Sequence, residues 1–417
     1  MSQELITMSQ ERKPKVLISA YACEPNKGSE PGVGWNWAKQ IARFADTWVI
    51  TRANNRNVIE EELRKNPDPN LHFIYYDVPK WLTFWKRGKR GVHLYYALWQ
   101  LGAYRLARKS HRQNRFAIVH HLTFGNIWLP TLMPFLVIPF IWGPLGGGEH
   151  IPAAFRQSFD CKSKIRETLR DVMVLSLKAN LLFLHTCKKA NRILAKTGDT
   201  ASRIPFQYSK RVLVTTDVAV SSRNIDADRK NNMQIIAVGS LETWRGFDLL
   251  LKAFSAIVQK YEGAKLLILG DGGDRKRLQQ ICEEENISQN VHFAGQVSAA
   301  EYLEYMGKSA IFVNPSLKEG GVTVLFDALS IGLPVICLDV PGASEIVTEE
   351  CGIKIKPVNP EQTIHDLSDA IIKLASDSDL RRKMGEAGRK RVGEHYTWEK
   401  KGEFIKKIYE EVMGERL

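Results

Sequence analysis

The 417-residue chain alternates short apolar runs with amphipathic stretches, and it does so twice. Near the start, "KPKVLISAY" reads as a strand, "EPNKGSEPGVG" as a glycine-bearing loop, "WNWAKQIARFA" as a helix and "TWVITRA" as the next strand. "LHFIYYDV", "FAIVHHL", "LVIPFIWG", "NRILAKT" and "KRVLVTTDVAV" continue the series, separated by helical patterns. Apolar runs of this length, joined through helices, predict a parallel sheet covered on both faces. The rhythm breaks at the polar, aperiodic "VSSRNIDADRKNNM" and restarts with "MQIIAVGSL", "RGFDLLLKAFSAIVQKY", "AKLLILGDG" and "DRKRLQQICEEEN". "VHFAGQV", "AIFVNPS", "PVICLDV" and "CGIKIKP" add four strands, and the tail is helical and charge-rich. The expected fold class is α/β, with two doubly wound, Rossmann-like domains facing a central cleft. The boundaries that follow are 1–217, a linker at 218–232, 233–395, and a final helix at 396–417.

Length fits two or three cores, and ordinary apolar and charged fractions exclude wholesale disorder. Six scattered cysteines without metal-like spacing, and an N-terminus with no long apolar segment, lead us to expect a cytoplasmic protein. The formal charge of +13 is unevenly placed, with no acidic residue between Asp77 and Glu149. Cations there, among them Lys80, Lys86 and Arg90, interleave with Trp81, Phe84, Trp85, Tyr95, Tyr96 and Trp99. Rings settle at headgroup depth and cations attract acidic lipids, so peripheral contact with an anionic membrane is expected. Core rings with solvated cations would explain the same pattern. No helix-turn-helix, zinc or RNP-type motif supports nucleic-acid binding. "IWLPTLMPFLVIPFIW" is too short and too interrupted by proline to span a bilayer, and reads as a helix start followed by a buried strand.

Candidate chemistry concentrates in "NPSLKEGGVTVLFDALSIGLP", residues 314–334. Gly320 and Gly321 break any helix through Glu319, so a helix is expected to start near Val322 or Thr323, with Asp327 one turn inside. Amides at such an N-terminus suit a phosphate, and carboxylates suit hydroxyls. Alone, a glycine turn before a core helix with solvated acids accounts for the run more simply. Gly28, Gly32 and Gly34 lie in a loop able to approach a phosphate or sugar, yet neither it nor Gly270, Gly272 and Gly273 forms GxGxxG. Nicotinamide binding is therefore not expected, and the P-loop lysine pattern is absent. Arg245 precedes a helix whose N-terminus should face the cleft, where a cation neutralises a diphosphate. His120 and His121 end an apolar strand, and alternation lets only one point into the cleft.

The run "VGSLETWRGFDLLLKAF…LLILGDGGDRKRLQQ…VHFAGQVSAAE…IFVNPSLKEGGVTVLFDALSIGLPVICLDVPGASEIV…GEAGRKRV…YTWE" closely resembles family 4 of the retaining, sugar-nucleotide-dependent glycosyltransferases. "SAYACEPNKGSEPGVGWNWA" and "PFIWGPLGGGEHIP" are similar to a bacterial subgroup associated with surface polysaccharide assembly. The resemblance implies the GT-B architecture, a nucleoside-diphosphate-sugar donor, a glycan or lipid-linked acceptor, no metal and no cofactor. It also implies a final helix crossing back onto the first domain near Trp398. Glu319 matches the first motif glutamate, near the donor sugar hydroxyls, and Asp327 stands where the family usually has a glutamate for the ribose. Arg245 matches the cation on the diphosphate, whose customary arginine partner falls at Ser240. Gly320, Gly321 and Val322 supply phosphate amides, Gly28 and Ser29 occupy the donor-facing loop, and Gln296 and Val297 lie where the base meets the backbone. His120 is the choice for the first domain's histidine, with His121 in reserve. The remaining alternatives are a soluble disaccharide or sugar-phosphate synthase and a non-catalytic sugar-nucleotide-binding subunit.

Overall fold

The computed structural model describes residues 13–86, 88, 90–220, 233–261 and 263–414. Strands β1 (Lys15–Ala20), β2 (Asp46–Arg52), β3 (Leu71–Tyr76), β4 (Ile118–Thr123), β5 (Phe140–Leu145), β6 (Arg192–Ala195) and β7 (Val212–Val214) form one parallel sheet, ordered β3-β2-β1-β4-β5-β6-β7. Strands β8 (Gln234–Val238), β9 (Lys265–Leu269), β10 (Val291–Gly295), β11 (Ile311–Asn314), β12 (Val335–Leu338) and β13 (Gly352–Ile355) form the second, ordered β10-β9-β8-β11-β12-β13. Every strand pair is parallel. Each sheet reverses its winding once, between β1 and β4 and between β8 and β11, and such switch points open crevices at the carboxyl ends of the strands.

The central strands are buried on both faces, β1 from Val16 and β4 throughout, because helices cover both sides. Helix α1 (Ser29–Ala42) begins well before the expected Trp35 and absorbs the glycine loop. A Cβ on Gly34 would lie 2.1 Å from the Ala22 carbonyl oxygen, and one on Gly32 1.9 Å from that of Lys27. Those glycines let the helix press onto the preceding loop, and they do not line a ligand loop. Helix α2 (Val92–Asn114) contributes Tyr96 and Trp99 to the core, so the expected ring row divides. Trp81 and Phe84 remain 74% and 83% exposed, whereas Tyr95, Tyr96 and Trp99 are buried. Among the described residues no helix is long and apolar enough to cross a membrane.

Helix α3 (Cys161–Ser176) follows β5, helix α4 (Phe247–Lys260) follows β8, helix α5 (Thr323–Ser330) follows β11, and helix α6 (Trp398–Gly414) closes the described chain. Most of the linker expected at 218–232, residues 221–232, lies outside the described residues. At its near edge Val220 bridges Thr397, its N–H donating to the Tyr396 carbonyl at 2.9 Å. From there α6 packs on α1 of the first sheet. Gly402 meets Gln40, and Lys401 donates to Thr215 Oγ1 and to the Thr216 carbonyl, each at 2.8 Å. Burial holds the Lys401 ammonium down to about 8. Tyr409, fully buried, places its hydroxyl 2.8 Å from His120 Nδ1.

Candidate functional site

The second sheet builds one wall. After β11 the chain stays buried through Glu319, which is 1% exposed. Opposite it, a short turn at Thr243–Arg245 ends on Gly246 at φ 66°, where a Cβ would lie 2.2 Å from the Pro315 carbonyl oxygen. Only glycine closes that turn tightly enough to bring Arg245 over residues 314–319. Arg245 Nη1 donates to Glu319 Oε1 and, at 3.1 Å, to Ser316 Oγ, and the guanidinium lies 4.3 Å from the Trp244 ring centroid. Burial pushes the Glu319 carboxyl above its usual range, opposed by Arg245, Ser316 and Asn314. Glu319 Oε2 and Arg245 Nε are both buried with no hydrogen-bond partner. Asn314 Nδ2 is buried and unpartnered as well, and unpaired polar groups of this kind cost stability.

Around this pair the predicted residues are placed as follows. Gly320 is half-buried, Gly321 exposed and Val322 buried, and α5 starts at Thr323 with no side-chain cap. Its first-turn amides therefore point outward with the positive end of the helix dipole. Asp327, half-buried, accepts from the Tyr302 hydroxyl at 3.0 Å. Ser240 is exposed beyond β8, and Gln296 (exposed) and Val297 (half-buried) follow β10, all at carboxyl ends of second-sheet strands. Across the cleft Gly28 and Ser29 are exposed at the start of α1, Ser29 in the left-handed region at φ 59°. Ser29 shares a chamber with Gly320, Gly321 and Thr323.

The histidines are a correction. His120 and His121 are both fully buried, and neither faces the cleft. His120 Nε2 lies 2.7 Å from the Gly143 carbonyl oxygen and Nδ1 meets Tyr409. His121 is held by the Tyr96 hydroxyl at 3.1 Å and Ser19 Oγ at 3.3 Å. Burial lowers their pKa values to about 4 and about 3, with His120 adding to the effect on His121, so both stay neutral near pH 7. The reason is register: β4 runs on to Thr123, leaving the pair mid-strand, where α1 with α6 covers one face and α2 the other. His93 lines the cleft instead.

Several site residues carried no distinguishing pattern. Glu149, from the loop after β5, accepts from Gly147 N–H, Thr200 Oγ1 at 3.0 Å and Arg170 Nη2 at 2.8 Å. A Cβ on Gly320 would sit 3.2 Å from that carboxylate, so the two walls touch here. Two chambers meet at Glu149, Gly320 and Gly321. One, of about 360 Å³, is lined also by Ser29, Glu30, His93, Lys196 and Asp217. The other, of about 570 Å³, is lined by Trp128, Arg170, Trp244, Arg245 and Lys318, among others. In the first, Lys196 Nζ lies 2.5 Å from Asp217 Oδ2. Burial alone would lower Lys196, but Asp217 and Glu30 carry it above its usual range. Burial raises the Glu30 carboxyl against the pull of Lys196. Lys196 ends an apolar strand, the signal that drew attention to His120, and Lys318 adjoins Glu319. Among the described residues no three His, Cys, Asp or Glu side chains gather as a metal site.

Residues 221–391 match the family of glycosyl transferases group 1. An uncharacterised glycosyltransferase of Methanocaldococcus jannaschii is 26% identical over 214 residues, 51% of this chain and 53% of that protein. A GDP-mannose-dependent monoacylated alpha-(1-6)-phosphatidylinositol monomannoside mannosyltransferase of Corynebacterium glutamicum is 30% identical over 180 residues, 42% of each chain. The matched stretches thus span about half the length of these curated relatives. Among solved structures, sucrose-phosphate synthase of Thermosynechococcus elongatus superposes with a TM-score of 0.65 at 18% identity, covering 97% of this chain and all of that one, a likeness of fold.

Proposed function

We propose that this chain, whose residues 221–391 belong to the group 1 glycosyl transferases, moves a sugar from a nucleoside-diphosphate-sugar to a hydroxyl of a glycan or lipid-linked acceptor. In this reading the transfer retains anomeric configuration, needs no metal or other cofactor, and takes place in the cytoplasm with peripheral contact to an anionic membrane. The observation that carries it is the Arg245–Glu319 pair, with one buried donor and one buried acceptor unused between them. A diphosphate oxygen satisfies Arg245, and a sugar hydroxyl donating to Glu319 Oε2 satisfies the carboxylate. Amides at Gly321, Val322 and the start of α5 add donors to the same phosphate. As the bond from the anomeric carbon to the phosphate oxygen breaks, its electron pair leaves with the diphosphate, whose charge Arg245 and the helix dipole stabilise. The acceptor oxygen bonds that carbon on the face just vacated, and its proton passes to the departing phosphate. His120 takes no part. In this reading Asp327, which accepts from the Tyr302 hydroxyl, takes the ribose hydroxyls.

The deciding experiment is a donor-hydrolysis screen over UDP-, GDP- and ADP-sugars with the wild-type protein and Glu319→Ala. One nucleotide should be clearly preferred, and the substitution should lower turnover at least a hundredfold. Equal rates in the two proteins would remove Glu319 from the site.

A further inference from the structure

Away from the cleft, the first sheet carries a second groove, of about 770 Å³, which shares no lining residue with the two chambers. It lies where β6 and β7 begin, at the end of the sheet opposite the cleft, and the second half of α6 forms its other side. Arg192 opens β6, Lys210 and Arg211 immediately precede β7, and Lys407 comes from α6. Against these four cations stands one carboxylate among the described lining residues, Glu411, and Arg192 Nη2 takes it at 3.2 Å. Lys210 and Lys407 are exposed and pair with no carboxylate among the described residues. Arg211 is fixed in place, its Nη1 donating to the Lys188 and Ala190 carbonyl oxygens at 3.1 Å each. A guanidinium anchored through one nitrogen is oriented before any ligand arrives. The rest of the lining is largely apolar, with Leu213 from β7 and Phe404 and Ile408 from α6. Phe404, Lys407, Ile408 and Glu411 recur at i, i+3, i+4 and i+7, so one face of α6 presents ring and charge together.

We propose that this groove is a second ligand site, which binds a nucleoside triphosphate with its phosphates on Lys210, Arg211 and Lys407 and its base on Phe404. The volume is in the range of small-molecule sites. Excess positive charge in a groove concentrates anions, and guanidinium beside ammonium groups suits phosphate oxygens. One phosphate carries about −1.5 to −2 charges near pH 7, fewer than the excess of cations here, whereas a chain of two or three matches it. An aromatic ring in the lining gives a planar base a face to stack on. The cations stand on both the sheet and α6, so the ligand would staple that helix to the sheet it returns to. The site is independent of the glycosyltransferase reading, and adds a regulatory ligand to whatever reaction the cleft performs.

The probe is ATP, titrated into the intact chain by calorimetry without divalent cations, with adenosine and inorganic tripolyphosphate as controls. ATP should bind at least tenfold more tightly than adenosine and at least threefold more tightly than tripolyphosphate, and should raise the melting temperature. Lys210→Glu with Lys407→Glu should weaken ATP at least tenfold without moving the melting temperature of the unliganded chain, since both side chains are exposed. Phe404→Leu should weaken ATP and leave tripolyphosphate binding unchanged. Photolysis of bound 8-azido-ATP should label peptides within 190–213 or 404–411. Labelling confined to 314–323 would place the nucleotide in the cleft and overturn the proposal. Equal ATP affinity in wild type and the double variant overturns it too, as does tripolyphosphate binding as tightly as ATP. A chain that binds a single-stranded oligoribonucleotide but no ATP would show the cations to serve nucleic acid instead.

Discussion

Glu167 and Lys318 meet across the cleft, both Glu167 oxygens 2.7 Å from Lys318 Nζ, with each residue less than a tenth exposed. One comes from α3 of the first half and the other immediately precedes Glu319, so the pair ties the two walls together beside the candidate donor site. Lys318 also lies 5.1 Å from the Trp244 ring centroid. Burial and the neighbouring Arg170 bring its ammonium down to about 8, although Glu167 works against them. Removing one partner of a buried pair strands the other. Glu167→Gln should therefore cost about 3 kcal/mol in urea unfolding, and adding Lys318→Met should restore most of it. A single-mutant cost below about 0.5 kcal/mol would show the pair to be open to solvent.

Arg245 holds Glu319 as well as facing the cleft, so stability and turnover should separate. Arg245→Ala should lower kcat/KM by about 100-fold or more and also destabilise the protein, because it leaves a buried carboxylate unpaired. Arg245→Ala with Glu319→Gln should recover melting temperature and remain inactive. Recovery of turnover by the double variant would remove both residues from the chemistry.

The buried histidines set an acid limit. The unfolded chain takes up a proton on His120 near pH 6.5, whereas the folded chain resists until about 4. The stabilisation from keeping it neutral is therefore complete above pH 6.5 and is lost as pH falls toward 4, by about 3 kcal/mol at most. Urea unfolding between pH 7 and 4.5 should show this loss. Tyr409→Phe, which removes the hydroxyl from His120 Nδ1, should cost about 1 kcal/mol and leave the pH profile of kcat between 6 and 8 where it was. A moved profile would return His120 to the reaction.

Two glycines make a matched test of the loops. Gly246→Ala should cost more than about 2 kcal/mol, because φ 66° and the Pro315 carbonyl leave no room for a methyl group. Gly28→Ala should fall within about 0.5 kcal/mol, since nothing lies within 4 Å of a Cβ there. Any large effect of Gly28→Ala must then come through ligand binding, read as a raised KM for the donor.

Exposed Trp81 and Phe84 supply the membrane test. Replacing both with serine should lower co-sedimentation with vesicles of phosphatidylcholine and 30% phosphatidylglycerol about tenfold. Unchanged pelleting would leave these rings without a role at a bilayer.

Both sheets were legible in the sequence because continuous apolar runs such as "VLIS", "LLIL" and "VICL" have few other uses in a chain of this composition. The start of α5 was legible because the Gly320–Gly321 pair sits between a buried strand and a helical pattern. The start of α1 was not, since glycine permits a loop and equally permits close packing, and only the Ala22 and Lys27 carbonyls decide between them. His120 was misplaced by two residues of strand. Period-two alternation shows that neighbours face opposite ways but does not show what covers each face. Glu149 and Glu167 escaped because their meaning lies in partners that are remote along the chain, Gly320 and Lys318.

The bridge between Val220 and Thr397 holds together the two places where the chain passes between the halves. The chain returns to the first half beside Val220, the last described residue before 233, and one backbone hydrogen bond joins the two crossings. Helix α6, clasped against α1, is part of the first half's packing although it follows the second sheet in the chain. Any parting of the two walls would break the Glu167–Lys318 pair and separate Glu149 from Gly320 together, since both contacts join the first half to the second.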